Sequence, residues 1–151
     1  MKAVVQRVTQ AKVTVKEKTV GKIKSGLVVL LGVGEKDTEK DAVYLASKIV
    51  NLRIFSDEKD KMNLSALETE GEILAISQFT LYGNTRKGRR PSFVEAAKPE
   101  KAAQLFNFFV EKLKETGLKI ATGQFQAMML VEIHNHGPVT LVLETEEKKN
   151  G

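Results

Sequence analysis

The sequence predicts a single α+β domain: a mainly antiparallel β-sheet or partly closed barrel, with two main helices packed against it. Three observations carry this. Short runs alternating apolar and polar residues, punctuated by Gly and Ser, fill the first 33 positions and recur before residue 144. Two apolar stripes at helical spacing stand between them. The 151 residues are one domain's length, with no repeat, linker or composition shift to divide them. The domain is expected over 1–144, with a polar C-terminal tail over 145–151.

Taken in order, 2–8 and 11–16 read as strands, because Ala3 and Val5, then Val13 and Val15, alternate with more polar neighbours. The β pattern continues over 20–24 and 26–33, broken by Gly21, Ser25-Gly26 and Gly32. Thr38 fits a helix N-cap, with Glu39 and Asp41 where the helix dipole favours acids; Ala42, Leu45, Ala46, Ile49 and Val50 then give a buried stripe. A short strand is expected at 53–56, a polar turn at 57–61, and a longer strand over 72–82. Pro99 suits the first position of a second helix, which Ala102, Leu105, Phe106, Phe109, Val110 and Leu113 stripe and Gly117 can close. Two last strands are expected near 126–134 and 139–144.

Composition narrows the chemistry. The absence of cysteine excludes a disulfide framework, a thiolate nucleophile and a Cys-ligated zinc. The opening MKAVVQRVTQ turns polar too quickly for a signal peptide, and the apolar run Leu27 to Leu31 is far too short for a bilayer. A cytoplasmic address with no membrane partner and no cofactor is the expectation. The net charge of +5 tilts the protein towards polyanions, and its densest cluster is Arg86, Lys87, Arg89 and Arg90.

That cluster closes the stretch ISQFTLYGNTRKGRRPSF, residues 76–93, in which aliphatics give way to Ser77, Gln78 and Thr80. Polar groups at the end of a core strand need partners. Either the hydroxyls bond nearby backbone, as Ser and Thr often do, or the strand end faces a pocket where N–H groups near Gln78 and Phe79 receive a carbonyl oxygen. In HNHGPVT, residues 134–140, His134 and His136 share a strand face and so are formally able to share a metal, although no third ligand stands at a familiar spacing. A Ser77–His–acid triad has no spacing in its favour. Gly137-Pro138 is either an ordinary trans turn or a cis bond holding backbone carbonyls towards something.

Together, Ser-Gln-Phe-Thr at 77–80, continuing as Leu-Tyr-Gly, and Asn-His-Gly-Pro-Val-Thr at 135–140 resemble the D-aminoacyl-tRNA deacylases of bacterial and eukaryotic type, the D-tyrosyl-tRNA(Tyr) deacylase family. The opening strand and the GLVVLLGV segment are similar too, so the likeness runs from Met1 to about Glu144. The resemblance implies a homodimer with active sites at the subunit interface. In it, Gly137 and Pro138 of one chain, joined by a cis bond, face Ser77, Gln78, Phe79 and Thr80 of the other, with Asn135, Thr140 and Arg7 in support.

The implied reaction is hydrolysis of the ester joining a D-amino acid to the 3′ end of tRNA. Rigid backbone carbonyls would exclude L-amino acids, so glycyl-tRNA, including glycine mischarged on tRNA-Ala, would also be cleaved. Arg86, Lys87, Arg89 and Arg90 would meet tRNA phosphates without reading sequence. No tuned base stands beside Ser77 or Thr80, so a mechanism of positioning and polarisation, assisted by the terminal ribose 2′-hydroxyl, is preferred. Two rival readings remain. One is a non-catalytic RNA-binding module, for which Phe79 and Tyr82 are the aromatic candidates beside the basic loop. The other is a general esterase using Ser77 or Thr80.

Overall fold

The computed structural model describes residues 1–145. Its chain opens with β1 (Lys2–Val15), followed by β2 (Lys18–Ile23) and β3 (Gly26–Gly32). The two strands expected over 2–16 are one, because the ladder shifts register between Gln6 and Val8 and again between Val8 and Ala11 rather than ending there. α1 (Glu39–Asn51) begins at Thr38, whose N–H donates to the Asp41 carboxylate at 2.8 Å, half of a reciprocal cap. The expected strand at 53–56 is β4 (Phe55–Ser56), paired with β5 (Met62–Leu64) across a turn in which the Asp57 carboxylate accepts from the N–H groups of Lys59 and Lys61. α2 (Ala66–Thr69), β6 (Glu72–Ser77), a 3-10 turn (Phe79–Tyr82), α3 (Pro99–Lys114), β7 (Ile120–Thr122) and β8 (Leu130–Glu144) complete the chain.

The main sheet runs β2-β1-β3-β6-β7, with β8 on the free side of β1. β1 is antiparallel to β2, β3 and β8, whereas β3–β6 and β6–β7 are parallel. The sheet curls until β2 approaches β7. A Cβ at Gly21 would stand 2.5 Å from the Thr122 carbonyl oxygen, so only glycine lets that near-closure happen.

Curling gives the sheet two buried faces. On the outer one, Ala3, Val5, Leu27, Val29, Leu31, Ile73 and Ala75 pack with Leu45 and Ile49 of α1 and with Phe109 and Leu113 of α3. Inside, Val8, Ala11, Val13, Ile23, Val28, Leu74 and Ile76 form a second core. β3 and β6 are covered on both faces, which explains their unbroken apolar runs. Truncating a side chain such as Leu31 or Leu74, each fully buried, removes about 2–5 kcal/mol.

At the far end, the Thr145 hydroxyl accepts from the Met1 amino group at 2.8 Å, and its N–H donates to the Met1 carbonyl at 2.9 Å. Of the expected polar tail, residues 146–151 lie outside the described residues. No helix among the described residues is long and apolar enough to cross a membrane.

Candidate active site

Ser77 closes β6 opposite Leu31, and the expected strand to 82 stops there. The Gln78 N–H still donates to the Leu31 carbonyl at 2.7 Å, after which the backbone turns into the tight helix of Phe79–Tyr82. The amide of Gln78 is therefore occupied rather than available. At the head of the turn, the N–H groups of Phe79 and Thr80 have no protein partner among the described residues. The Gln78 side-chain amide donates to the Thr80 hydroxyl at 2.5 Å. Neither Ser77 nor Thr80 donates to an imidazole or carboxylate among the described residues, so no Ser-His-acid relay exists at this strand end.

The turn is fixed at its other end by Tyr82. Its hydroxyl donates to the Asp37 carboxylate at 3.3 Å, and Asp37 also accepts from Gly34 N–H at 2.6 Å and from the Met1 amino group at 2.7 Å. Burial, then the neighbouring Asp37 charge, push the Tyr82 phenol far above its ordinary value, so it stays a donor. Asp37 and Gly34 carried no sequence signal as site residues.

Beyond Tyr82 the chain pairs Asn84 with Ser92 through two backbone hydrogen bonds, 2.8 and 2.9 Å. Arg86, Lys87, Arg89 and Arg90 hang from this neck as a fully exposed loop, and none forms an ion pair among the described residues. The chain then brings Phe93 back onto Phe79, ring edge to ring face, with centroids 5.2 Å apart. Phe93 is a further residue the sequence alone did not single out.

The second motif lies in β8, one strand rather than the expected two. Gln6 pairs with Thr140 and Val8 with Asn135, so residues 136, 137, 138 and 139 all stand opposite the single residue Arg7. They bulge outward, with Gly137 at φ +121° and the Gly137–Pro138 bond cis. The neck of the bulge is closed by side chains. Asn135 donates to the Thr140 hydroxyl at 2.9 Å and accepts from Val139 N–H at 3.3 Å, and Gln6 also donates to Thr140 at 3.3 Å. From beneath, the Arg7 guanidinium donates to the carbonyls of His136 at 3.2 Å and Ile54 at 2.8 Å. A cleft of about 450 Å³ opens beside this bulge, lined by Arg7, Phe55, Ser56, Gly71, Glu72 and His136 among others.

His134 and His136 are exposed on the outer face of β8, and His134 Nδ1 meets only the Gln10 amide, at 3.4 Å. No three His, Asp or Glu side chains are placed to hold a metal ion among the described residues.

The two motifs do not meet within one chain. Arg7 pairs with Leu27, whereas Ser77 pairs with Leu31, four residues further along β3, and β1 and β3 separate β8 from β6. Four residues at about 3.3 Å and three strand steps at about 4.8 Å put the bulge and the strand end about 20 Å apart along the sheet.

A family profile described as D-Tyr-tRNA(Tyr) deacylase matches residues 4–144. A D-aminoacyl-tRNA deacylase of Dehalococcoides mccartyi (strain ATCC BAA-2100 / JCM 16839 / KCTC 5957 / BAV1) is 59% identical over 150 residues, which is 99% of this chain and 98% of the relative. Among solved structures, a c-Myc DNA unwinding element binding protein superposes with a TM-score of 0.92 at 44% identity, over 97% of this chain and 100% of its own. A probable eukaryotic D-amino acid tRNA deacylase shares the fold, with a TM-score of 0.81 at 18% identity over 94% of this chain and 97% of its own.

Proposed function

This chain belongs to the D-Tyr-tRNA(Tyr) deacylase family, a hydrolase of the ester in D-aminoacyl-tRNA, and we propose that two protomers in the cytoplasm each supply half of every active site. The observation that carries this reading is the placement of two hydrogen-bonded motifs, each with residues open to solvent, about 20 Å apart along one sheet. In a symmetric dimer the Gly137–Pro138 bulge of one protomer faces Ser77, Gln78, Phe79 and Thr80 of its partner.

The roles follow from the groups left free. The substrate's ester carbonyl oxygen meets the N–H groups of Phe79 and Thr80, which stabilise the charge that develops as water attacks. Gln78 fixes the Thr80 hydroxyl as a positioning group, and neither hydroxyl has a base to make it a nucleophile. The 2′-hydroxyl of the terminal ribose accepts the proton of the attacking water and relays one to the departing 3′-oxygen. The carbonyl carbon gains the water oxygen, the C–O3′ bond breaks, and a free D-amino acid and tRNA result.

Chirality is set by the partner's bulge, whose backbone occupies the space an L-side chain would need and leaves the D-direction open. Arg7 keeps that backbone aimed, supported by Asn135 and Thr140. Glycine carries no Cβ, so glycyl-tRNA, including glycine mischarged on tRNA-Ala, is cleaved as well. Arg86, Lys87, Arg89 and Arg90 hold the acceptor-end phosphates.

The test is a deacylation assay with matched D-tyrosyl-, L-tyrosyl- and glycyl-tRNA, run with and without chelator. Release from the D- and glycyl-substrates, unaffected by chelator, is expected. Strict refusal of glycyl-tRNA would overturn backbone exclusion. Normal cleavage of D-tyrosyl-tRNA ending in 2′-deoxyadenosine would remove the ribose hydroxyl from the mechanism. Undiminished specific activity at dilutions where light scattering finds only monomers would overturn the shared site.

A further inference from the structure

The proposed mechanism leaves one row of side chains unused, on the outer face of β2, β1 and β8. There Lys22 stands directly opposite Lys12, and Lys12 directly opposite Glu132. Their strand neighbours Ala11, Val13, Gly21 and Ile23 are buried, so alternation turns both lysines outward together. Like charges directly opposite on a sheet repel. Lys12 is answered by Glu132, its Nζ 3.4 Å from Oε2, whereas Lys22 forms no ion pair among the described residues. Next to this row Val8 pairs with Asn135 and Ala11 with Ile133, so Thr9 and Gln10 share the single partner His134. The bulge sets the Gln10 amide against His134, where it donates to Nδ1 at 3.4 Å and leaves the ring proton on Nε2. Gln10, Ala11, Lys12, Lys22, Glu132 and His134 line a cleft of about 130 Å³, space for roughly four water molecules.

We propose that this cleft binds a phosphate group. Its lining offers two ammonium groups, an amide and an imidazole N–H against one carboxylate. An ammonium carries three donors, so the bond to Glu132 leaves Lys12 with donors to spare. An anion between Lys12 and Lys22 also replaces their repulsion with two attractions. Free phosphate and an RNA backbone present the same chemistry, and the RNA source rests on the deacylase reading. His134 stands four residues before Pro138, about 13 Å along the strand. In the shared site the cleft of the bulge-bearing protomer therefore flanks the ester held by its partner. The tRNA is then gripped by both protomers, by the cationic loop of one and by Lys12 and Lys22 of the other.

Two probes, inorganic phosphate and tRNA, separate the sources. Lys18→Gln, which removes one charge from β2 outside the cleft, is the control. Thermal unfolding is followed in sodium phosphate and in sodium chloride of equal ionic strength. Phosphate should raise Tm more in wild type and control than in Lys22→Gln, the rise common to all being its general effect on proteins. Binding of tRNA is then measured by filter retention between about 50 and 200 mM salt. One phosphate contact contributes about 0.7–0.9 to the salt slope, so wild type and control should lose about threefold more affinity over this range than Lys22→Gln. Glu132→Gln frees Lys12 and should bind the same probe more tightly than wild type. A difference in the phosphate arm alone assigns the cleft to the free ion, and a difference in the tRNA arm assigns it to RNA. If Lys22→Gln matches Lys18→Gln in both arms, the site does not exist and the row is a solvated face. Wild type that binds tRNA yet cleaves no D-aminoacyl ester would sink the deacylase reading instead, with both comparisons still deciding the cleft.

Discussion

Replacing Gly137 by alanine tests the bulge where its geometry is most demanding. At φ +121° the residue lies outside the left-handed well, and holding an L-residue there costs about 1–3 kcal/mol. The new Cβ would stand 3.0 Å from Arg7 Nη2 and from Val139 Cγ2, and 3.1 Å from the Val139 nitrogen. The Arg7 end can swing aside, at the expense of its bond to the His136 carbonyl. Val139 cannot, since its N–H is tied to Asn135. This overlap adds about 1 kcal/mol or more. Alanine's lower freedom in the unfolded chain returns about 0.4–1 kcal/mol. The net loss is about 1–4 kcal/mol, or a fall in Tm of roughly 2–16 °C for a chain of this size.

Gly117→Ala is the matched control. Its φ is +84°, and no atom lies within 4 Å of the added Cβ, so backbone strain acts alone. That strain is worth about 1–2 kcal/mol. Thermal unfolding by circular dichroism gives the stability comparison, and the ratio of D- to L-tyrosyl-tRNA deacylation gives the function. Gly137→Ala should lose more stability than Gly117→Ala, and it alone should lose discrimination, by more than about tenfold (1.4 kcal/mol). If Gly137→Ala unfolds no earlier than its control and discriminates like wild type, the bulge neither needs glycine nor sets chirality.

Three other outcomes are expected. Asp37→Ala strips an anchor from Met1, Gly34 and Tyr82 together and should destabilise by about 3 kcal/mol, whereas Tyr82→Phe should cost about 0.5–1 kcal/mol; equal effects in denaturant titrations would deny Asp37 its hub role. The Lys24 N–H, then the Lys119 ammonium, hold Glu72 below the usual carboxylate range, so its contribution is present above the unfolded value and lost as pH falls through the lower folded one. Glu72→Gln should therefore be less stable than wild type at pH 7, with the gap closing below about pH 4; a gap constant with pH would contradict this. Replacing Arg86, Lys87, Arg89 and Arg90 by alanine should raise KM for tRNA and flatten its salt dependence by a slope of roughly 3, with Tm unchanged. An unaltered slope would place the phosphates elsewhere.

Local patterns exposed most of the fold in the sequence. The cap at Thr38, Pro99 in the first turn of α3 and both helical stripes are short-range signals, and α1 and α3 follow them. The unbroken aliphatic runs of β3 and β6 reflect burial on two faces, a property that strand alternation does not reveal. β7 went unread because its three residues are a strand only by pairing with Ile73, Leu74 and Ala75. α2 was within reach, since Ser65 and Glu68 form a capping box. The break after Ser77 was hidden because Phe-Thr-Leu-Tyr reads equally well as strand; a carbonyl on β3 captures Gln78 and starts the turn. At the site, both motifs stood out by composition. Their distance from each other did not, because it follows from register; Arg7 entered only through the family resemblance, since by itself it reads as an ordinary strand cation until a bulge four residues deep opens against it.

The Asn84–Ser92 neck gives the cationic loop an independence of its own. Its two backbone bonds close residues 85–91 off from the turn on one side and from Phe93 on the other. Lengthening a loop beyond a fixed closure is inexpensive, about 0.6 kcal/mol for each doubling. Charges can be added, removed or respaced there while the Phe79–Tyr82 turn and the end of β6 keep their geometry. If the cationic loop holds the acceptor end as proposed, that grip is in this sense a detachable part, open to drift in evolution or exchange by an engineer, with the strand end at Ser77–Thr80 left as it is.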